Sequence, residues 1–238
     1  MQRRALVTGG AVRVGRAISL ALGEAGYDVA IHYASSAAAA SEVEAAIGEH
    51  GGRATTLKAD LTQPREAQDL ISRATARLGG LDLLVNNAAI FPHARPEEVS
   101  VADWDRAFAL NARAPFFCCR AAAAVMTAGG CIVNIADSGV DEGWPGYAVY
   151  LASKAALVSL TRSLARAWAP RIRVNAVAPG PVLLPESYGV AERGRAAERT
   201  ALGRVGRATD VAAAVLYLDR AEFVTGEVMY VDGGARLV

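Results

Sequence analysis

Short β-branched and apolar runs alternate along the chain with alanine-rich stretches in which apolar residues recur at helical spacing. The runs are RALVT (4–8), DVAIHY (28–33), RATTLKA (53–59), LDLLVNN (81–87), CIVNIA (131–136), IRVNAVA (172–178) and EVMYVDGG (227–234). Between them lie VGRAISLALGEAG (14–26), AAAASEVEAAIGEH (37–50), a long apolar-periodic segment over 101–128 and another over 147–169. The strands read as nearly continuous apolar runs, which is the pattern of a parallel sheet with helices on both faces. The expected fold is therefore α/β: a single-domain, doubly wound, seven-stranded parallel sheet of the Rossmann type. The alanine patches at 37–40 and 121–124 sit inside helical periodicity and signal helix propensity and close packing. No linker or internal repeat interrupts the rhythm, so 1–238 reads as one domain.

Composition narrows the function. The 238 residues are 53% hydrophobic and 21% charged, with 25 Lys and Arg against 24 Asp and Glu, a formal net charge of +1. A balance this even provides no field to gather nucleic acid or an anionic membrane, and points to a small-molecule or protein partner. Cys118, Cys119 and Cys131 form neither a disulfide framework nor a metal-ligand spacing, and reduced thiols in a cytoplasmic protein are expected. Three scattered histidines without companion carboxylates predict no metal. The start MQRRALVTGG has too few apolar residues before its glycine turn for a signal segment, and no apolar run reaches membrane-spanning length.

The first βα turn, TGGAVRVGRA, carries Gly9 and Gly10 at the bend and Gly15 opening the helix. Glycines here permit a tight turn and let a pyrophosphate approach the helix N-terminus, where unpaired amides and the dipole favour negative charge. Glycine turns in βα units also occur for packing alone, so the turn gains weight from its place after the first strand. The second strand ends at His32, Tyr33, Ala34, Ser35 and Ser36, near an adenosine ribose if a dinucleotide binds. No acid stands there to take both ribose hydroxyls, which favours NADP over NAD. Ser35 and Ser36 either donate to a 2′-phosphate or cap the helix beginning near Ala37.

Taken in order, these stretches resemble the short-chain dehydrogenase/reductase family over essentially the whole chain. The carrying motifs are TGGAVRVG, ADL with Asp60, NNAA at 86–89, Asn111, the pair Tyr150 and Lys154 in YLASK, APG at 178–180 and VDGG. The resemblance implies a cofactor site formed by Gly9, Arg13, Val14, His32, Tyr33, Ser35, Ser36, Asp60, Leu61, Asn87, Ala88, Tyr150, Lys154, Pro179 and Gly180. It implies NADPH or NADP as cofactor and a catalytic set of Asp137, Tyr150, Lys154 and Asn111. Asn111 is expected to bulge its helix and to anchor a water chain leading to Lys154. It implies, further, a short substrate lid near 183–204, containing Pro185, Gly189 and Gly194, and a homo-oligomer, tetramer or dimer, built on the segments 101–128 and 147–169.

Three positions narrow the resemblance. Arg13 stands where most members have glycine, Asp137 stands thirteen residues before Tyr150 where most have serine, and Phe91 follows the fourth-strand motif. Together they resemble the pteridine reductase branch, which implies a substrate site of Arg13, Phe91, Asp137 and Tyr150. In that branch the arginine lies by pyrophosphate and substrate, the phenylalanine stacks on the pterin and the aspartate works with the tyrosine. The branch often has a basic residue after its His-Tyr pair, and Ala34 and Ser35 stand there instead.

The chemistry of these groups can be read directly. A phenol of pKa about 10 needs a nearby cation to hand over its proton at neutral pH, and Lys154 lies one helical turn from Tyr150 on the same face. A ketone reduced here develops an alkoxide that a serine hydroxyl supports and an ionised aspartate repels. A C=N bond instead needs a proton on nitrogen, which an acid sharing its proton with Tyr150 relays. Either Asp137 faces the reacting bond, or a one-residue slip puts Ser138 there and turns Asp137 to solvent. The expectation is an NADPH-dependent reductase of pterin-like heterocycles. The competing readings are a generic carbonyl reductase, such as a 3-oxoacyl-carrier-protein reductase, and a non-catalytic dinucleotide-binding regulator. His93 and Trp144 lie near the expected mouth, and Asp141 and Glu142 read as turn acids.

Overall fold

A computed structural model describes residues 2–184 and 188–238. Its strands are β1 (Arg4–Val7), β2 (Asp28–Tyr33), β3 (Ala54–Lys58), β4 (Leu83–Asn86), β5 (Gly130–Ile135), β6 (Ile172–Pro179) and β7 (Val228–Val231). Its helices are α1 (Arg13–Glu24), α2 (Ala37–Glu49), α3 (Pro64–Leu78), α4 (Val101–Phe108), α5 (Ala114–Val125), α6 (Ala148–Trp168), α7 (Val190–Glu198) and α8 (Ala208–Arg220). The strands form one sheet in the order β3-β2-β1-β4-β5-β6-β7, every pairing parallel. The expected Rossmann-type architecture is the one observed.

Alternation along each strand sends its side chains into two separate cores. Val7, Ile31 and Val133 pack with Ile18, Leu22, Val43, Val211 and Val215 of α1, α2 and α8. On the other face Leu6, Leu84 and Ile132 pack with Leu70, Ile71, Cys118 and Leu164 of α3, α5 and α6. Each such fully buried aliphatic side chain contributes about 1.5–3 kcal/mol, which fixes the register and hence the strand ends that carry the site. Chain order reverses at β1, which is flanked by β2 on one side and β4 on the other. A crevice opens beyond the carboxyl ends of the strands at such a reversal.

The segment 101–128, expected to be helical with a bulge at Asn111, is interrupted there. Ser100 caps α4 by accepting from the Asp103 amide at 3.2 Å. A π turn at Ala109–Arg113 then joins α4 to α5. Pro115 gives the physical reason: it has no N–H to offer the carbonyl of Asn111, so the α-helical ladder breaks there and widens. The expected lid is described at Leu183, Leu184 and 188–204, with α7 inside it and no buried side chain on α7. Pro185 lies outside the described residues. Burial raises all three cysteine thiols, and each is free. Among the described residues no helix is long and apolar enough to cross a membrane, and no group of His, Cys, Asp or Glu side chains is placed to hold a metal.

Candidate active site

β5 and α6 bring the expected proton-handling groups together. Asp137 follows the end of β5, and Tyr150 and Lys154 sit one turn apart on α6. The Tyr150 hydroxyl donates to Asp137 Oδ2 at 2.6 Å, while the Gly139 amide donates to Asp137 Oδ1 at 2.9 Å. Lys154 Nζ donates to the Ile135 carbonyl at 2.7 Å and lies 5.9 Å from the centre of the Tyr150 ring. Of the two alternatives after β5, the carboxylate of Asp137 is the group beside the phenol. The Ser138 hydroxyl is buried with no hydrogen-bond partner among the described residues.

Burial dominates the electrostatics of the three groups. It raises the Asp137 carboxyl, an effect opposed by the hydrogen bonds from Tyr150 and Gly139 and by the Lys154 charge. Tyr150 is pushed well above 10 by burial, with the Asp137 charge and hydrogen bond adding to the rise. Burial lowers Lys154 to about 8, again opposed by Asp137. An ionised Asp137 thus helps to hold Tyr150 as a phenol.

Asn111 lies in the π turn, fully buried, and joins two more segments to this cluster. Its amide donates to the Ile90 carbonyl and to Ser153 Oγ, both at 3.0 Å, and its Oδ1 accepts from the Ile90 amide at 3.0 Å. Ser153 in turn donates to the Tyr150 carbonyl at 2.6 Å. The loop after β4 is thereby fixed against α6, and that loop carries Phe91. The Phe91 ring stacks on Tyr147 with centroids 4.4 Å apart and meets the Tyr150 ring edge-on at 4.5 Å. His93 and Trp144 pack edge-on against Tyr147 at 5.0 and 6.2 Å. Phe91 remains 53% exposed, so one apolar face of this wall is open beside the phenol. Asp141 is more than a turn acid, since it accepts from the Tyr230 hydroxyl of β7, while Glu142 accepts from the Trp144 indole at 2.8 Å.

The other end of the crevice is the glycine turn. Gly9 has φ +60°, and a Cβ on Gly15 would overlap the Gly9 carbonyl, so neither position accepts a side chain. The Gly9 amide donates to His32 Nδ1 at 2.9 Å. With Nδ1 accepting, Nε2 carries the hydrogen and meets the Ala59 carbonyl at 3.2 Å. Burial lowers His32 to about 4, so the ring stays neutral and shapes the turn. Thr8 Oγ1 accepts from the Asn87 and Ala88 amides at 2.9 and 3.0 Å, and the Asn87 side chain donates to the Thr8 and Gly9 carbonyls at 3.0 Å each.

Of the remaining expected cofactor residues, Leu61 is buried in the core that includes α3, and Tyr33 packs at the edge of the core on the other face of the sheet. Asp60 is exposed, with Oδ1 accepting from the Thr62 amide and hydroxyl at 3.0 and 2.7 Å. Ser36 occupies the N-cap position of α2 but makes no side-chain cap, and among the described residues neither it nor Ser35 makes a side-chain hydrogen bond. The helix-capping use expected for one serine is absent. Pro179 is buried and Gly180 half-buried at the end of β6, where a Cβ on Gly180 would press on Asp232. Val14 is half-buried in the first turn of α1, a helix with no side-chain cap. Uncapped amides above a turn that excludes side chains fit a dinucleotide pyrophosphate.

Thr8, Ser153, Tyr147 and Tyr230 make contacts around the crevice that motif and spacing did not single out. Ser153 and Tyr147 had a signal, three residues either side of Tyr150 on one helix. Thr8 and Tyr230 act across strands and had none.

Comparison with known proteins extends these observations. The family described as enoyl-(acyl carrier protein) reductase matches residues 10–236. An uncharacterised oxidoreductase of Methylorubrum extorquens is 39% identical over 241 residues, spanning 98% of this chain and 97% of that protein. A 3-oxoacyl-(acyl-carrier-protein) reductase of Staphylococcus epidermidis is 34% identical over 241 residues, spanning 98% and 99%. The crystal structure of FolM alternative dihydrofolate reductase 1 from Brucella canis, complexed with NADP, superposes with a TM-score of 0.94 at 35% identity, covering 99% of this chain and 94% of that one. Likeness of this degree, sustained from the glycine turn to the last strand, shows that the chain belongs to the short-chain dehydrogenase/reductase family of oxidoreductases.

Proposed function

We propose that the enzyme is an NADPH-dependent reductase of pterin-like heterocycles, acting on a C=N bond of the dihydropteridine or dihydrofolate type. The observation that carries this reading is the 2.6 Å hydrogen bond from Tyr150 to the half-buried Asp137 carboxyl. NADPH, when bound, supplies the hydride. Tyr150 gives its proton to the ring nitrogen that gains electron density, and the raised carboxyl of Asp137 passes its own proton to Tyr150 as the phenol loses one. Lys154 keeps a positive charge within the cluster, which limits the cost of any transient phenolate. Phe91, backed by Tyr147, offers a flat apolar face that orients a planar heterocycle. The dihydrofolate reductase from Brucella canis supports the reading and its NADP complex supports the cofactor.

A 3-oxoacyl-carrier-protein reductase is the second reading, favoured by the relative from Staphylococcus epidermidis. Purified enzyme assayed with NADPH and NADH over one panel of dihydropterins, dihydrofolate and 3-ketoacyl thioesters decides between them. Turnover of the thioester far above that of every heterocycle would overturn the proposal. Asp137→Ser gives the complementary test: pterin reduction drops about 10–100-fold, the usual scale for a proton-handling group, and ketone reduction holds or improves. The exposed Trp104, stacked on Phe108 at 4.6 Å, supports a homo-oligomer assembled through α4, α5 and α6, and the three free thiols support a cytoplasmic setting. Sedimentation at the monomer mass alone would remove the oligomer.

A further inference from the structure

Two features set Arg13 apart. Among the described residues it is the one non-glycine residue in the left-handed region, with φ +52°. Such a conformation costs energy in any residue with a Cβ and persists where something else holds it. Its guanidinium Nη2 donates to the carbonyl of Leu183 at 2.9 Å, a contact 170 residues away in sequence. Arg13 begins α1, after the glycine turn that follows β1, and Leu183 follows the end of β6 by four residues. In the sheet β1 and β6 are separated by β4 and β5, three strand spacings or roughly 14 Å.

The side chain and the loop it grips therefore bridge the carboxyl ends of β4 and β5. That is the crevice between the glycine turn and the Lys154–Tyr150–Asp137 cluster. A dinucleotide stretched from the uncapped end of α1 to Lys154 has to pass this bridge. The guanidinium has five N–H donors, of which Leu183 takes one, so the rest are available to an anionic pyrophosphate. We propose that Arg13 is a strap over the dinucleotide groove, whose bond to the Leu183 carbonyl must break before cofactor leaves, so that Arg13 sets the residence time of NADPH. The inference rests on the cofactor and is independent of which substrate is reduced.

The test is a displacement experiment. Enzyme loaded with NADPH is mixed with excess NADP in a stopped-flow instrument, and the decay of NADPH fluorescence gives the release rate. A prior titration of the unaltered enzyme confirms that NADPH binds; failure there indicts the cofactor assignment and leaves the strap aside. Arg13→Gly should release NADPH at least tenfold faster while its Tm stays level or rises, because glycine adopts the positive φ without cost. Arg13→Lys retains the charge without the guanidinium fork and should release at least threefold faster. A smaller acceleration in either variant overturns the proposal: in Arg13→Lys it would mean that charge alone retains the cofactor, in Arg13→Gly that nothing is strapped. Should Arg13→Gly fail to fold, the release rate of the lysine variant decides.

Discussion

The two ends of the crevice are built on opposite plans. At the chemical end the proton-handling groups and the residues that position them are already engaged: Tyr150 with Asp137, Asp137 also with Gly139, Lys154 with Ile135, Asn111 with Ile90 and Ser153. At the adenosine end Asp60 is exposed and the hydroxyls of Ser35 and Ser36 make no hydrogen bonds among the described residues. Groups fixed before the reaction need no reorganisation when charge develops, which is what proton transfer demands. Groups left open to solvent exchange a bond to water for a bond to a ligand, a smaller net gain. Substitutions at the first end should therefore change turnover and its pH dependence. At the second end they should change cofactor affinity.

The hardest test of that division is Tyr150→Phe. Loss of the proton donor should lower kcat by about 10²–10⁴-fold. Because the adenosine end is independent, the NADPH dissociation constant should stay within about threefold by fluorescence titration. A large loss of affinity together with activity would break the division.

Lys154→Met sharpens it from the side of stability. Turnover should fall by about 10²-fold or more, yet the protein should gain stability at pH 7. Lys154 is lowered to about 8 from 10.5, so the folded state binds this proton less readily than the unfolded chain does. Below about 8 both states carry the proton and the folded one bears the full cost of a buried charge, roughly 3 kcal/mol at about 1.4 kcal/mol per pH unit. That cost is relieved as pH rises from about 8 towards 10.5. Methionine removes it at all pH values and forfeits the hydrogen bond to Ile135, worth about 1 kcal/mol. Calorimetry should show the variant more stable by about 1–2 kcal/mol at pH 7, with the gap closed or reversed near pH 10. A variant less stable than the parent at pH 7 would show that Lys154 is held by more than its one bond.

A smaller and more specific effect belongs to Asp137→Ser. The carboxylate both accepts from Tyr150 and, when ionised, holds it as a phenol. Without it the alkaline limb of the pH–rate profile, set by ionisation of Tyr150, should move to lower pH. An unmoved limb would mean that another group controls it.

How far the sequence reveals this site follows the same division. Tyr150 and Lys154 are legible because helical spacing alone puts them on one face. The seven strands are legible because a sheet covered on both faces imposes continuous apolar runs. The orientation of Asp137 is not, since side-chain direction after a strand reverses with each residue and the chain offers Ser138 next door. The break at Asn111 has a local cause in Pro115, and a reading of apolar periodicity passes over it. The place of His32 at the end of β2 points to the adenosine ribose, whereas its ring lies buried between Gly9 and Ala59. That role depends on two chain crossings that leave no periodic trace. Thr8 with Asn87, and Tyr230 with Asp141, are hidden for the same reason.

The mildest substitutions bear on the end that sequence leaves least defined. Ser35 and Ser36 are exposed and half-buried, their hydroxyls free, with no acid and no basic residue between Tyr33 and Ala37. If they recognise a 2′-phosphate, each contributes one hydroxyl bond to an anion, worth about 1.5–3 kcal/mol when formed and partly replaced by water when removed. Alanine at either position should therefore raise the KM for NADPH by about 3–10-fold, leave kcat unchanged, and leave the KM for NADH, which lacks the phosphate, where it was. The double substitution should bring the two cofactors close to parity. Equal losses for NADPH and NADH would mean that the serines serve the ribose or the loop, and that the preference for phosphate is supplied by residues elsewhere on the crevice, with Arg13 the first to examine.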